Sequence, residues 1–480
     1  MKYLSTRSEK HPVNSAQAVL LGLAPDGGLY MPENIPELDI PACLASDPLQ
    51  MANRILSALL PDIPDMEALV RKAYTGKFQT EELTPTVQAG PFTVLELFRG
   101  PTSAFKDVAL SMLPQLMTAA MKCCGQKRKI RILTATSGDT GKAALEGFRD
   151  VPGIDICVFY PDGGVSPVQR AQMVTQEGGN VKVCAVRGNF DDAQTGVKEI
   201  FTACREKELP FELSSANSIN IGRLAPQITY YFKAYRDLMD RGMIRFGDLV
   251  NFSVPTGNFG DILAGFLAKC MGLPVGKLLC ASNENHVLTD FLSSGTYDRR
   301  RPLHKTTSPS MDILVSSNLE RLLYLVSGDR TLVAEKMKQL NQEGSYSISQ
   351  ELLQKIQNHF WGGYCTDQEA ETTIRKVWES YGYLCDPHTA AGWLAAERYV
   401  QETGDRRPMV VLSTASVYKF PAAVLTAIGG EICGDEFAQM ERLQTITGIP
   451  IPENLSGLDG KTVLHPDVVD RDEMFRYALT

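Results

Sequence analysis

Residues 129–142, KIRILTATSGDTGK, carry the pattern that decides the fold: a β-branched apolar run, a loop of hydroxyls and glycines, and the start of a helix. Similar apolar runs recur at Phe92–Phe98, Lys129–Thr134, Ile154–Tyr160, Val181–Val186, Leu249–Val254, Lys277–Ala281 and Met409–Leu412. Amphipathic segments of helical period lie between most of them, among them Asp107–Met121, Phe190–Glu206 and Asp261–Met271. This repeated order predicts an α/β fold with a parallel, doubly wound sheet, in which ligands bind at the carboxyl ends of the strands.

The bulk composition narrows the class of protein. A length of 480 residues favours two or three domains, and a net charge of -8 argues against a nucleic-acid-binding protein. No apolar run approaches the ~20 residues that a membrane helix needs. The N-terminus lacks the apolar stretch of a secretory signal, and the scattered cysteines show neither zinc-site nor disulfide spacing. We therefore expect a cytoplasmic protein with no metal site.

Differences in local sequence pattern divide the chain into three regions. Residues 1–90 combine turn-forming residues with a helical pattern over Met51–Tyr74. A polar stretch interrupted by proline at Gly76–Gly90 predicts a domain boundary. Residues 91–430 contain the alternating strands and helices, and residues 431–480 form a C-terminal segment. Within the central region, residues 288–381 break the alternation and predict a largely helical insertion that covers the core. Ser166, Pro167 and Gln169 predict a helix that begins with a capping box.

Two strand-end loops contain candidate reactive groups. In Gly100–Asp107, Lys106 lies where the loop turns into a helix; burial near a helix N-terminus lowers the pKa of a lysine amine, as a nucleophilic lysine requires. On residue type alone a solvated lysine is the commoner outcome. The loop Thr134–Lys142 presents hydroxyls and amides at a helix N-terminus, which favours an anion site. Its glycine spacing does not match a nucleotide P-loop.

Two further loops follow later strands. Pro255–Asp261 has two glycines around Asn-Phe, which allows backbone amides to approach a phosphate, although glycine-rich turns are common in α/β proteins. Leu412–Ser416 supplies neutral hydroxyls that could face an aromatic ring nitrogen. Nearby, His388 is interpreted as a hydrogen-bonded structural histidine in preference to a general base.

The loops together resemble those of the threonine synthase family. The shared motifs are GPTSAFKD (100–107), TATSGDTGKAA (134–144), SANSINIGR (215–223), VPTGNFGD (254–261) and DPHTAAG (386–392), with DGGLYMPE (26–33) similar to the family's N-terminal domain. The resemblance implies a fold-type II, tryptophan-synthase-β-like pyridoxal-phosphate enzyme, with two α/β domains and an N-terminal domain. A smaller α/β unit at about residues 125–214 would close over the substrate. One departure is Ser416, where the family usually has histidine.

The resemblance also implies a set of site residues. Lys106 is expected to carry pyridoxal 5'-phosphate as a Schiff base and to move protons during catalysis. The cofactor phosphate is assigned to Gly257, Asn258, Phe259, Gly260 and Asp261, and the pyridine nitrogen to Thr414, with Ser413 as second choice. Substrate contacts are assigned to Thr136, Ser137 and Thr140 for the carboxylate, and to Asn217, Ser218, Asn220 and Arg223 for the phosphate. Asp139 is also counted among the substrate-binding residues. For Arg223, a helix-surface salt bridge is an equally acceptable interpretation.

The implied reaction converts O-phospho-L-homoserine and water to L-threonine and phosphate, by γ-elimination and β-hydration, in a monomer or homodimer. Two alternatives stay open. A threonine-synthase-like phospholyase would release 2-oxobutyrate, ammonia and phosphate from the same substrate. A non-catalytic protein would bind the cofactor or a phosphate without turnover.

Overall fold

The computed structural model describes residues 1–204 and 208–479. The N-terminal unit has strands β1 (Lys2–Ser5), β2 (Val13–Asn14) and β3 (Tyr30–Pro32), and helices α1 (Ser15–Leu21), α2 (Ile40–Leu44), α3 (Pro48–Leu59) and α4 (Met66–Tyr74). The strands form an antiparallel sheet of order β2-β1-β3. The helical pattern over Met51–Tyr74 is therefore two helices, because Pro61 and Pro64 lack the amide hydrogen that a continuous helix needs.

The remaining elements alternate as predicted over most of the chain. The strands are β4 (Thr86–Ala89), β5 (Phe92–Glu96), β6 (Lys129–Ala135), β7 (Ile154–Pro161), β8 (Val181–Val186), β9 (Phe211–Ser214), β10 (Val250–Pro255), β11 (Val275–Ser282), β12 (Thr296–Asp298), β13 (Ser345–Ser347), β14 (Phe360–Tyr364), β15 (Met409–Ser413) and β16 (Val468–Val469). The helices are α5 (Lys106–Cys123), α6 (Asp139–Phe148), α7 (Pro167–Val174), α8 (Phe190–Cys204), α9 (Ile221–Leu224), α10 (Ile228–Asp240), α11 (Gly260–Cys270), α12 (Val287–Ser294), α13 (Leu319–Ser327), α14 (Arg330–Glu343), α15 (Gln350–Gln357), α16 (Asp367–Tyr381), α17 (Pro387–Thr403), α18 (Pro421–Ala427), α19 (Glu436–Thr447) and α20 (Met474–Leu479). Short 3₁₀ helices span Ala225–Gln227, Pro309–Met311, Val417–Lys419 and Arg471–Glu473.

The larger sheet has six strands in the order β14-β11-β10-β15-β5-β4, parallel except for the antiparallel pair at the β4 edge. Both of its faces are covered. Along β15, Val410 and Leu412 belong to one hydrophobic core and Val411 to a second, as the two-residue period of a strand requires. Helix α17 packs across β10, β11, β14 and β15. This arrangement confirms the predicted α/β fold.

The smaller sheet is parallel and has five strands in the order β16-β8-β7-β6-β9. Its edge strand β16 comes from the C-terminal segment, and Met474 of α20 is buried in the same core as Val186 of β8. The C-terminal segment therefore completes this sheet, which the sequence did not indicate. The helix predicted at Phe190–Glu206 is described to Cys204, and its last two predicted positions lie outside the described residues.

Other predictions meet the structure with mixed results. The capping box at Ser166 is confirmed. Ser166 Oγ accepts from the amide of Gln169, and the amide of Ser166 donates to Gln169 Oε1. The insertion at 288–381 contains α12 to α16, but it also supplies β14 to the larger sheet. Among the described residues, no helix is long and apolar enough to cross a membrane.

Candidate active site

A cleft of about 1650 Å³ is lined by loops that follow strands of both sheets. The loops after β6, β9, β10 and β15 all contribute, as the fold class predicts for a ligand site. The predicted site residues that line the cleft are Lys106, Thr136, Ser137, Thr140, Asn217, Ser218, Arg223, Gly257, Asn258, Gly260, Asp261 and Thr414. Four others, Phe259, Ser413, Asp139 and Asn220, lie behind its surface.

Lys106 begins α5 and reaches the cleft from a strained turn. Ser103 has a φ of 60°, and the amide of Phe105 donates to the carbonyl oxygen of Thr414 at 2.8 Å. Lys106 is only 8% exposed, and its Nζ donates to Ser310 Oγ at 3.2 Å. Burial lowers the pKa of the Lys106 amine, and the cations of Lys419 and Arg223 act in the same direction, while Asp139 opposes them. The lysine is therefore buried, as a reactive amine requires, and not solvated.

Asp139 is the first residue of α6, at the end of the hydroxyl loop, and it pairs with two lysines. Its Oδ1 is 2.5 Å from Lys419 Nζ, and its Oδ2 is 3.5 Å from Lys106 Nζ. Burial opposes the charge, but Lys419 and Lys106 hold the pKa of the carboxyl far below its usual range. A buried carboxylate would repel the carboxylate of a substrate, so the position of Asp139 does not favour the substrate contact that the sequence predicted.

The hydroxyl loop after β6 is held by its own threonine. Thr136 Oγ1 accepts from the amides of Gly138 at 3.0 Å and Gly141 at 2.8 Å. Gly138 adopts a φ of 128°, and a Cβ there would lie 2.4 Å from the Gln169 side chain. Ser137 and Thr140 line the cleft beside the N-terminus of α6, whose first amides lack intrahelical acceptors. This geometry can bind an anion.

The glycine loop after β10 presents the N-terminus of α11 to the cleft. Phe259 has a left-handed φ of 63°, and its ring is buried against Phe360 at 5.6 Å between centroids. Ser316 Oγ donates to the carbonyl oxygen of Gly257 at 2.9 Å, and the amide of Asn318 donates to that of Asn258 at 3.1 Å. The loop carbonyls are thus bonded to the insertion, and the helix dipole favours negative charge at the cleft end.

Asp261, in the first turn of α11, also lines the cleft. Burial raises the pKa of its carboxyl to about 7, although the amide of Ile262 and the cations of Lys106 and Arg223 oppose the shift. Near neutral pH this carboxyl is therefore partly protonated, and its repulsion of a nearby phosphate is reduced.

Arg223, on α9, is a buried cation that also lines the cleft. It is 5% exposed and donates through Nη1 to the carbonyl oxygen of Ala216 at 2.7 Å. Its Nε is buried with no hydrogen-bond partner among the described residues. Burial lowers the pKa of Arg223 to about 10, with the Coulombic attraction of Asp261 acting against it. Its burial argues against a surface salt bridge, and a buried guanidinium nitrogen without an acceptor suits an anionic ligand.

Asn220 and Ser413 have structural partners in place of cleft contacts. Asn220 is fully buried, caps α9 by accepting from the amide of Gly222, and donates to the carbonyl oxygen of Val19 at 2.9 Å. Ser413 Oγ accepts from Thr389 Oγ1 at 3.0 Å beneath the cleft. Thr414, by contrast, is on the cleft surface.

Sequence reasoning missed Ser310, Gln227 and the part played by Lys419. Ser310 and Gln227 line the cleft, and the amide of Ser310 donates to His388 Nε2 at 3.2 Å. His388 Nδ1 is 2.6 Å from Asp386 Oδ2, so the histidine is hydrogen-bonded at both ring nitrogens, as predicted. No sequence motif marks Ser310, because the insertion folds back to the cleft from a stretch without alternating pattern.

Comparisons with known proteins agree with this arrangement. Three family models match the chain: "Threonine synthase N terminus" at residues 2–74, "Pyridoxal-phosphate dependent enzyme" at residues 77–415, and "Threonine synthase, C-terminal" at residues 389–462. Human threonine synthase-like 1 is 39% identical over 86% of this chain, which spans 58% of that protein's length.

Two relatives match over most of both lengths. Threonine synthase from Pseudomonas aeruginosa is 41% identical, and the match covers 88% of this chain and 90% of that protein. The crystal structure of pyridoxal-phosphate-bound threonine synthase from Brucella melitensis has a TM-score of 0.87 at 40% identity, covering 100% of this chain and 99% of the other. The chain therefore belongs to the threonine synthase family of pyridoxal-phosphate-dependent enzymes.

Proposed function

We propose that this protein is a threonine synthase, which converts O-phospho-L-homoserine and water to L-threonine and phosphate. The observation that carries the proposal is the buried amine of Lys106 in a cleft with separate anion sites at the glycine loop and at Arg223. One anion site suits a cofactor phosphate, and the other suits the phosphate of a substrate. The match of separate threonine synthase models at both ends of the chain supports the same substrate class.

The residues present fit pyridoxal 5'-phosphate. Lys106 Nζ would be the attachment point for the cofactor aldehyde, and Gly257–Asp261 at the N-terminus of α11 would hold the cofactor phosphate. A Cβ at position 257 would lie 2.6 Å from the carbonyl oxygen of Ser310, so this position has room only for glycine. The Thr414 hydroxyl, on the cleft surface, would bond the ring nitrogen, and Ser413 is held beside it by Thr389. When bound, the cofactor supplies an electron sink for the negative charge that develops on the substrate carbons.

The chain's own groups bind the substrate and move its protons. Ser137 and Thr140, in the loop that Thr136 orders, hold the carboxylate, while Asn217, Ser218 and Arg223 hold the phosphate. Lys106 Nζ removes the α proton and returns protons at the later steps, since its amine has a lowered pKa and lies in the cleft. Asp139 and Asn220 do not contact the substrate; they stabilise the hydroxyl loop and the start of α9.

Product analysis tests the proposal. Purified protein with pyridoxal phosphate and O-phospho-L-homoserine is expected to yield threonine and phosphate in equal amounts. Release of 2-oxobutyrate and ammonia without threonine would show a phospholyase. Cofactor binding without phosphate release would show a non-catalytic protein, and either result would overturn the assignment.

Borohydride reduction tests the attachment residue. The reduced protein should carry a pyridoxyl group on the peptide that contains Lys106. Lys106→Ala should lose both this label and turnover, by about 10²–10⁴-fold or more. Lys127→Ala, a change at an exposed lysine, should preserve both. A label on another lysine would contradict the proposal.

The cellular location and the oligomeric state are also proposals. We place the protein in the cytoplasm, and we expect a monomer or homodimer. Size-exclusion chromatography with light scattering measures the mass against the 52.8 kDa of one chain, and a larger assembly would overturn the second expectation.

A further inference from the structure

Three charged side chains form a row that leads from the buried interior to the cleft: Lys419, Asp139 and Lys106. Lys419, in the 3₁₀ helix after β15, is completely buried, and its Nζ also donates to the carbonyl oxygen of Thr102 at 3.3 Å. Unlike Lys106, it does not line the cleft. The activity proposed above gives this second buried lysine no task. A buried charge is costly, so its partners indicate what it does.

The two oxygens of Asp139 have unequal environments. Oδ1 is 2.5 Å from Lys419 Nζ and accepts from Gln169 Nε2 at 2.9 Å. Among the described residues, the polar contacts of Oδ2 are both long, 3.5 Å to Lys106 Nζ and 3.5 Å to Ser310 Oγ. Oδ1 therefore has two close donors, whereas Oδ2, the oxygen on the side of Lys106, is loosely held.

We propose that Lys419 is a positioning residue for Lys106: it anchors Asp139 by Oδ1 and so prevents Lys106 from forming a close ion pair with that carboxylate. Lys106 is thereby left free to face the cleft, with its long hydrogen bond to Ser310. The inference rests on the proposed function in taking Lys106 as the cofactor amine. It adds a role for a residue that touches neither cofactor nor substrate.

The electrostatics of the cluster support this role. Burial and the Lys419 cation both lower the pKa of the Lys106 amine, while Asp139 raises it. The other charged or titratable groups around Lys106 are Arg223 on α9, Asp261 on α11, Asp107 on its own helix, and His388 on α17, which is reached through Ser310. Asp107 bonds to Thr102, and Arg223 and Asp261 face the cleft, so Lys419 is the cation that competes directly for Asp139.

Competitive labelling of the cofactor-free full chain tests the proposal. Acetic anhydride labels neutral amines, so the pH dependence of labelling at the Lys106 peptide, quantified by mass spectrometry, gives the pKa of that amine. Lys419→Met should let Lys106 pair closely with Asp139 and raise this pKa by about 1–3 units. Lys419→Arg keeps the cation and should stay near wild type. Lys461→Met, at an exposed lysine, is the matched control.

Removing the carboxylate should have the opposite effect. Asp139→Asn should lower the pKa of Lys106, and the double variant with Lys419→Met should lie between the two single variants. If Lys419→Met does not fold, Lys419→Gln replaces it, since its amide can still donate to Asp139 without the charge. An unchanged Lys106 pKa in a folded, uncharged variant at position 419 would overturn the proposal. The labelling needs no substrate, so a failure here is distinguishable from a failure of the proposed reaction.

Discussion

The hydrogen bonds of Arg223 indicate that this side chain binds an anionic ligand. Its guanidinium is buried, Nη1 is bonded to a backbone carbonyl, and Nε has no partner among the described residues. A charged hydrogen bond to a ligand phosphate at this nitrogen would contribute about 1.5–3 kcal/mol. The residue type alone left the surface and site interpretations equal, and burial excludes the surface salt bridge.

We expect Arg223→Met to raise the KM for O-phospho-L-homoserine and to weaken inhibition by inorganic phosphate by about the same factor, roughly 10- to 150-fold. Arg223→Lys should retain part of the affinity, because an ammonium cannot donate in the planar fork of arginine. Steady-state kinetics measure both quantities. Arg71→Met, at an exposed arginine, is the control. A lower kcat with unchanged phosphate inhibition would place Arg223 elsewhere in the mechanism.

Asp261 should leave a signature in the pH dependence of stability. Burial raises its pKa from 3.8 to about 7, so the folded protein binds a proton that the unfolded chain has lost. Stability from this group is complete below pH 3.8 and is lost as the pH rises to about 7. Asp261→Asn should therefore be more stable than wild type above this range, and the difference should vanish toward its lower end. Urea unfolding of the cofactor-free proteins measures this; parallel stability curves would contradict it.

At the scale of elements, the glycine loop joins a strand, a helix and the insertion. Its sequence predicted a phosphate-binding turn, and the structure adds that the turn is pressed against the backbone of Ser310. Local patterns predict such turns because glycine content and helix starts are local properties. Strands β9 and β14 were not predicted, because their local patterns are weak. FELS is short, and FWGGY contains two glycines that weaken a strand signal.

We expect Gly257→Ala to weaken pyridoxal phosphate binding, because its Cβ would lie 2.6 Å from the carbonyl oxygen of Ser310. Either the loop or the segment Pro309–Met311 must shift, at a cost of about 1–3 kcal/mol. Absorbance titration with the cofactor measures the change in affinity. Gly179→Ala serves as the control, since its Cβ would have no neighbour closer than 3.8 Å. Equal affinity in the two variants would show that the loop tolerates a side chain.

At the scale of the whole molecule, the cleft depends on contacts between distant parts of the chain. Arg321 of the insertion is fully buried and donates to the carbonyl oxygens of Tyr30, Ser218 and Ile219. It therefore ties the N-terminal unit to the loop that precedes α9, the helix that contains Arg223. Strand β16 completes the smaller sheet from the other end of the sequence. Periodicity predicted a parallel α/β core and the family resemblance implied two α/β domains, but no local pattern specifies which remote segments pair. That is why Ser310 and Lys419 could not be assigned beforehand.

The size of the cleft leads to a prediction about closure. Ligand pockets commonly measure about 300–1,000 Å³, whereas this cleft measures about 1650 Å³, and helix α8 and the hydroxyl loop of the smaller sheet line one side. We expect a non-reactive analogue of O-phospho-L-homoserine to draw the smaller sheet over the substrate, because the reaction must admit water only at the correct step. Hydrogen exchange of the holoenzyme should then slow in α8 and in residues 136–141, and not in α3, whose face is buried in the N-terminal unit. Unchanged exchange and equal susceptibility of residues 125–214 to proteolysis, at saturating analogue, would show that the cleft works without closing.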